Sequence, residues 1–361
     1  MSAAAKPIVQ FDAVDIVFGD NPKSALPHMD QQKSRAEIQE ATGQVLGVAN
    51  CSLDVHQGEI VVLMGLSGSG KSTLLRAVNG LNPVIRGECR VAMDDAATQW
   101  ANPQSCARRT LRKLRQERVA MVFQQFGLLP WRTVRENVGF GLEISGTGKT
   151  QRANAIDEQL NLVGLGDWGD RRVQELSGGM QQRVGLARAF ATQAPVLLMD
   201  EPFSALDPLI RDKLQDDLLE LQSRLKRTII FVSHDLDEAL KLGNRIAIME
   251  GGRIIQTGTA QEIILNPASE YVAEFVAHMN PLSVLRAAEV MVTRVDDAPT
   301  STVPIEEAHE LGQLPCATPQ TPLKEIMRAQ VQTGSTVFVA DGDAIIGRID
   351  KDDVIKALVN R

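Results

Sequence analysis

From Gly65 to Thr73 the chain reads GLSGSGKST, with glycines at 65, 68 and 70 ahead of Lys71, Ser72 and Thr73. Glycines at this spacing let the backbone curl until successive N–H groups, including those of Leu66, Ser67 and Ser69, converge on one point. A polyphosphate is the ligand such a nest takes. Lys71 is then placed for the β and γ phosphates of a nucleoside triphosphate, Ser72 for Mg²⁺ and Thr73 for the α phosphate. A second stretch, VLLMDE at 196–201, is an apolar run ending in two carboxylates. Asp200 suits Mg²⁺ through its water shell, and Glu201 suits removal of a proton from an attacking water. The third stretch is LSGGM, from Leu176 to Met180, leading into MQQRVGLARAFA. Ser177, Gly178 and Gly179 at a helix start form another anion-binding nest.

These stretches need particular elements beneath them. An apolar strand must deliver the phosphate loop and a helix must follow it; IVVLM before Gly65 and the helical pattern from Leu74 to Asn79 supply both. GTGKT at 146–150 imitates the loop, but Glu143 stands where the first glycine belongs and no apolar strand precedes it. PVLLMD, a helix from Leu209 to Lys226, TIIFVSH and RIAIME alternate as strand and helix, which predicts a largely parallel sheet with ligands at its C-terminal edge. Residues 8–18 read as a strand, a polar insertion with helical spacing follows at about 20–43, and VLGVANCSLDVHQGEIVVLMG reads as a hairpin. The texture from about 126 to 180 is that of an inserted helical subdomain. One nest and one phosphate loop separated by that subdomain can hardly serve one phosphate, so the simplest arrangement is a symmetric dimer in which each copy closes the other's site.

Bulk properties narrow the class. The chain has 361 residues, 43% hydrophobic and 23% charged, enough for a large domain and a smaller one. A net charge of −7 argues against a nucleic-acid surface. Cys51, Cys89, Cys106 and Cys316 lack metal or redox spacing and read as structural thiols. The start MSAAAKPIVQ has no leader character, and no apolar run approaches a bilayer span, so a cytosolic chain is expected. The basic helix from Arg108 to Arg118 is read as a solvated face. Prolines at 281, 299, 304, 315, 319 and 322 mark a linker.

With these motifs in this order, the sequence resembles the nucleotide-binding subunits of ABC transporters over roughly residues 8–280. The resemblance implies a P-loop NTPase core of ABC type with an N-terminal antiparallel β part and a helical subdomain. It implies ATP and Mg²⁺ as ligands, a homodimer, and a place on the cytoplasmic face of the plasma membrane beside a transmembrane permease served by a periplasmic or extracellular binding protein. Gln124 in MVFQQ matches the Q-loop, Asp207 in SALD the D-loop across the dimer, and His234 in FVSH the switch histidine at the γ phosphate. Phe18 matches the aromatic that stacks on adenine, or else it is a core phenylalanine. Leu128, Leu129 and Trp131 stand near Gln124 where the family docks its permease, or else they belong to the subdomain core. IVFGDNPKSALPHMDQ, LLPWRTVREN and EYVAEFVAHMNPLSVL look most like choline importer ATPases within the glycine betaine, proline and choline branch, with betaine or proline betaine as the second choice of cargo. A soluble ABC ATPase of translation or repair would carry two motor domains or a long coiled coil, and the sequence has neither. The implied organisation is an ABC domain at 1–280, a linker at 281–322 and a small α+β remnant resembling one CBS repeat at 323–361.

Overall fold

Side-chain alternation decides the first sheet. β1 (Pro7–Phe18) and β2 (Val45–His56) pair antiparallel, and from Cys51 to Val55 β2 buries every second residue. β3 (Ile60–Met64) is instead buried at every position, the pattern of a strand covered on both faces. The expected hairpin of β2 with β3 therefore does not form: after the turn at 57–59, β3 enters a different sheet, parallel to its neighbours. β4 (Arg86–Ala92) and β5 (Trp100–Ala101) complete the antiparallel sheet in the order β2-β1-β4-β5.

A computed structural model describes residues 6–277, 284–293, 302–311, 313–342 and 344–359. The chain forms two compact units, Met1–Thr257 and Gly258–Arg361. At the heart of the first lies a six-stranded sheet in the order β10-β9-β3-β8-β7-β6. Its remaining strands are β6 (Val119–Val122), β7 (Val196–Asp200), β8 (Thr228–Val232), β9 (Arg245–Glu250) and β10 (Arg253–Gly258). β7, β8 and β3 bury every residue, so both faces of the sheet are covered by the rest of the unit. The C-terminal ends of β3, β6, β7 and β8 thereby line up along one edge.

Residues 20–43 hold a capped helix, Arg35–Thr42. The Ser34 hydroxyl accepts from Glu37 N–H, and Glu37 Oε2 accepts from Ser34 N–H at 2.8 Å. Ile38 of this helix is wholly buried and packs with Ala25, Met29, Val17 and Leu46 in a core of its own. Cys51 and Cys89 are also buried, and burial pushes their thiols up to about 11 and about 12, away from thiolate reactivity.

The helical subdomain contains Val134–Val138, Phe140–Ile144, Lys149–Leu162 and Gly178–Ala191. Its entry loop hangs on Asn137, which is fully buried. The Asn137 carbonyl oxygen accepts from Leu129 N–H at 2.7 Å, and its amide donates to the carbonyls of Leu129, Arg132 and Thr133 at 3.1, 3.4 and 2.9 Å.

In the second unit β11 (Val303–Pro304), β12 (Pro315–Ala317), β13 (Val337–Asp341) and β14 (Ala344–Ile349) form a sheet in that order. The helix, strand, strand, helix pattern expected near the end is present as Leu323–Thr333, β13, β14 and Lys351–Val359. Leu285, Ala287, Val290, Ile305 and Ala317, within the stretch expected as a linker, share one core with Leu323, Val337 and Ile349. Prolines there interrupt periodicity without preventing single apolar residues from filling core positions. The helices Ala260–Leu265 and Glu270–Ala277 also fall in this unit. Among the described residues no helix is long and apolar enough to cross a membrane.

Asn137→Ala is expected to lower stability by about 2–3 kcal/mol, because several buried backbone groups lose their partner at once. Urea unfolding of the full chain measures this; a change well under about 1 kcal/mol would mean that the loop is held by other groups.

Candidate active site

The phosphate loop runs off β3 into a helix beginning at Lys71, and close approach of neighbouring backbone forces its glycines. A Cβ on Gly65 would collide with the Met249 carbonyl oxygen, and one on Gly70 would sit 2.6 Å from the Gly47 carbonyl oxygen. Both residues have positive φ, 142° and 104°, a region closed to most side chains. Lys71 folds back on the loop, donating to the carbonyls of Gly65 at 2.8 Å and Leu66 at 3.0 Å. Burial pushes its pKa down, while the carboxylates of Glu201 and Asp200 pull it up.

β7 delivers Asp200, fully buried, to the same edge. Its Oδ1 accepts from the Ser72 hydroxyl at 2.6 Å and its Oδ2 from Arg76 Nη2 at 2.7 Å. A hydroxyl and a carboxylate this close form an oxygen donor set suited to Mg²⁺, an ion that takes few protein ligands and completes its shell with water and phosphate.

The chain reverses immediately after Asp200, and Glu201 adopts φ 48°, left-handed for a residue with a Cβ. That conformation costs about 1–2 kcal/mol, and hydrogen bonds hold it. Glu201 N–H donates to Val232 O at 3.2 Å, and Glu201 O accepts from Gln182 Nε2 at 3.0 Å. The turn swings the Glu201 carboxylate across the sheet edge. Its Oε2 accepts from Gln124 Nε2 at 3.2 Å and lies 3.4 Å from His234 Nδ1. The His234 turn is fixed from below. Ser233 Oγ donates to Glu238 Oε2 at 2.5 Å, and Gln215 Nε2 donates to Glu238 Oε1 at 3.0 Å. Burial pushes the Glu238 carboxyl above the ordinary range.

These groups enclose a cleft of about 680 Å³. Ser67, Gly68, Gly70, Lys71, Ser72 and Thr73 make its floor, Gln124, Glu201 and His234 one wall, and Phe18 the other. Phe18 stays 37% exposed, at the rim of the cleft and outside the core. Its Cε2 lies 2.9 Å from where a Cβ on Gly47 would be. Gly65, Ser69 and Asp200 are buried and Leu66 is exposed; none of the four lines the cleft.

Ser177, Gly178, Gly179 and Asp207 do not line this cleft. Ser177 caps the helix Gly178–Ala191 by accepting from Met180 N–H at 3.3 Å, and Asp207 caps Pro208–Leu225 by accepting from Ile210 N–H at 3.1 Å. Ser177, Gly178 and Asp207 are exposed. Trp131 is 68% exposed, whereas Leu128 and Leu129 are half-buried. Arg115 and Arg118 of the basic helix are tied to protein, to Asn79 O at 2.8 Å and to Asp95 at 2.9 Å.

Three contributors escaped sequence reasoning. Arg76 lies one helical turn beyond Ser72, a spacing that placed it on the Asp200 side. Gln182 reaches both Glu201 O and, through its Oε1, Ala205 N–H at 2.9 Å; only the fold shows why a glutamine is buried there. Arg35, from the insertion, also lines the cleft, and no local pattern marks it.

Residues 48–204 match the ABC transporter family. The chain is 45% identical over 304 residues, 83% of its length and 71% of the relative's, to the glycine betaine transport ATP-binding protein OpuAA of Bacillus subtilis. It is 45% identical to the glycine betaine/proline betaine transport ATP-binding protein ProV of Escherichia coli, covering 76% of this chain and 67% of that one. It is 43% identical to the trimethylamine N-oxide transport ATP-binding protein TmoW of Pelagibacter ubique, covering 79% and 81%. Among solved structures, the dimeric structure of a bacterial ABC transporter cassette superposes with TM-score 0.59 and 27% identity, over 70% of this chain and 98% of that one.

Glu201→Gln keeps the side-chain volume and removes the carboxylate expected to act as base, so ATP hydrolysis is expected to fall by about 10²–10⁴ with nucleotide binding retained. Single-turnover assays read this directly; a variant that splits ATP at the wild-type rate assigns the base elsewhere.

Proposed function

This chain belongs to the ABC transporter family of ATP-binding subunits, and from that premise we propose that two copies pair head to tail around two ATP molecules and drive import of a quaternary amine. The observation that carries this reading is the separation of two anion sites. The cleft gathers the phosphate loop with Gln124, Glu201 and His234, while the exposed nest at Ser177, Gly178 and Gly179 lies outside it. A second copy supplies that nest to the first copy's triphosphate, and Asp207 faces the same junction.

In the closed pair Phe18 stacks on the adenine, the loop N–H groups cradle the phosphates, and Lys71 keeps its two carbonyl partners and turns its third N–H donor to the β and γ oxygens. Ser72, Asp200 and Gln124 would hold Mg²⁺, which would supply charge neutralisation on the phosphates. Glu201 takes the proton of the attacking water, and His234, already beside that carboxylate, contacts the γ phosphate. ADP and inorganic phosphate leave when the pair opens.

The relatives above are named for transport of glycine betaine, proline betaine and trimethylamine N-oxide, which supports ranking such compounds ahead of choline. We therefore put the betaines first and choline second as cargo, all of them compact methylated amines. The permease docks at the loop after Gln124, where Asn137 braces the backbone and Arg172 donates to the Trp131 carbonyl. That bracing holds Trp131 out as a rigid apolar anchor, the kind of residue that carries a large share of an interface. The protein then works peripherally at the cytoplasmic membrane face with a permease and an external binding protein.

Two outcomes are expected in cells stripped of their own importers and given this protein with its neighbouring permease and binding subunits. Labelled glycine betaine enters faster than labelled choline, and Trp131→Ala reduces uptake about tenfold or more while ATP binding by the isolated subunit is unchanged. Preferential choline uptake would reverse the order of cargo, and full uptake by Trp131→Ala would move the docking site.

A further inference from the structure

Residues 20–43 form a packed extension of the first unit whose interior contact ends at the nucleotide cleft. Beyond Ile38 and its core, Arg86 joins Asp30 at 2.6 Å and buried Asp15 at 2.5 Å, tying the segment to β1. The first residue of the helix, Arg35, turns inward. Its Nη1 donates to the Gly68 carbonyl and its Nη2 to the Gly47 carbonyl at 2.5 Å. The guanidinium occupies a slot cleared of side chains: a Cβ on Gly252 would lie 2.9 Å from Nη2, and one on Gly70 3.4 Å from it. Its Nε is buried without a partner.

A loop that aims its N–H groups at an anion must bond its carbonyls elsewhere, since neither set can be left dry and unpaired. Gly65 and Leu66 give theirs to Lys71, Ser69 to Gly252 N–H at 3.0 Å and Gly70 to Leu74 N–H at 2.9 Å. Gly68, in the middle, gives its carbonyl to Arg35. We infer that Arg35 is a positioning residue of the nucleotide site: by gripping the Gly68 and Gly47 carbonyls it holds the phosphate loop with its N–H groups turned into the cleft and adds a fixed cation beside Lys71. Through it the packing of the insertion sets affinity for the triphosphate. This rests on the ATP-binding reading above. A planar fork can bridge two carbonyls; an ammonium cannot do so in the same geometry.

The test is equilibrium binding of fluorescent N-methylanthraniloyl-ATP with Mg²⁺, together with KM and kcat for ATP and the melting temperature without nucleotide. Full-length wild type, Arg35→Ala, Arg35→Lys, Ile38→Ala and Lys71→Ala are compared. Arg35→Ala is expected to bind about 10- to 100-fold more weakly, the range for lost charge-assisted hydrogen bonds. KM should rise with kcat nearly unchanged, and the nucleotide-free melting temperature should move less than about 2 °C. Arg35→Lys should fall between the two, and it decides the case should the alanine variant not fold. Wild-type affinity in Arg35→Ala or in Arg35→Lys overturns the inference. So does an affinity loss that merely tracks lost stability, as in Ile38→Ala. Unchanged affinity in Lys71→Ala would instead overturn the ATP-site reading itself.

Discussion

Backbone N–H groups that bind phosphate must face the ligand while the carbonyls of the same loop find partners, and the contacts around the loop from Gly65 to Ser72 serve that requirement. The carbonyls of Gly65, Leu66, Gly68, Ser69 and Gly70 are each bonded, by Lys71, Arg35 and the backbone N–H groups of Ser69, Gly252 and Leu74. Neighbouring strands approach so closely that only glycine fits at 65 and 70. The parallel sheet sets the distances, because β3, β7 and β8 bring the loop, the two carboxylates and Ser233 to one edge in register. A strand buried on both faces is what hydrophobic residues at consecutive positions provide. The same burial that makes the sheet also leaves Asp200 dry, so that its carboxylate is committed to Ser72 and Arg76.

Hydrolysis requires a base aimed at water beyond the γ phosphate, and the reversal at Glu201 turns the carboxylate proposed for that role toward Gln124 and His234. Left-handed geometry there is held by Gln182, a residue of the helix that begins with the Ser177 nest. Gln182 also accepts from Ala205 N–H, so the helix start, the base and the loop toward Asp207 form one hydrogen-bonded group. In the proposed pair, a shift of that helix would therefore move Ser177 and Asp207 together with Glu201. Glu238 and Ser233 brace the His234 turn in the same way from the opposite side.

Much of this was legible in the sequence. Uninterrupted apolar runs gave β3, β7 and β8, turn glycines gave the loop from Gly65 to Ser72, and the paired carboxylates at the end of β7 marked the sheet edge where the cleft lies. Helical spacing within about 20–43 marked the helix in the insertion. What was not legible depends on distance along the chain. Nothing near residue 35 says that its arginine meets a loop more than a full strand away, and nothing near Gln182 says that it holds the backbone at Glu201. The β2–β3 boundary was misread as a hairpin because a short turn between two apolar strands looks the same whether they pair or part. The proline-broken stretch before Leu323 hid core residues, since Leu285, Val290 and Ile305 are too far apart to show a period.

The central claim is that each site is completed by a second copy, and the most direct measurement follows steady-state ATP hydrolysis per subunit together with molecular mass by light scattering across protein concentration. The account predicts that the specific rate rises with concentration in step with an ATP-dependent shift from one-copy to two-copy mass. A specific rate that stays constant and high while the protein remains a single copy throughout would contradict it.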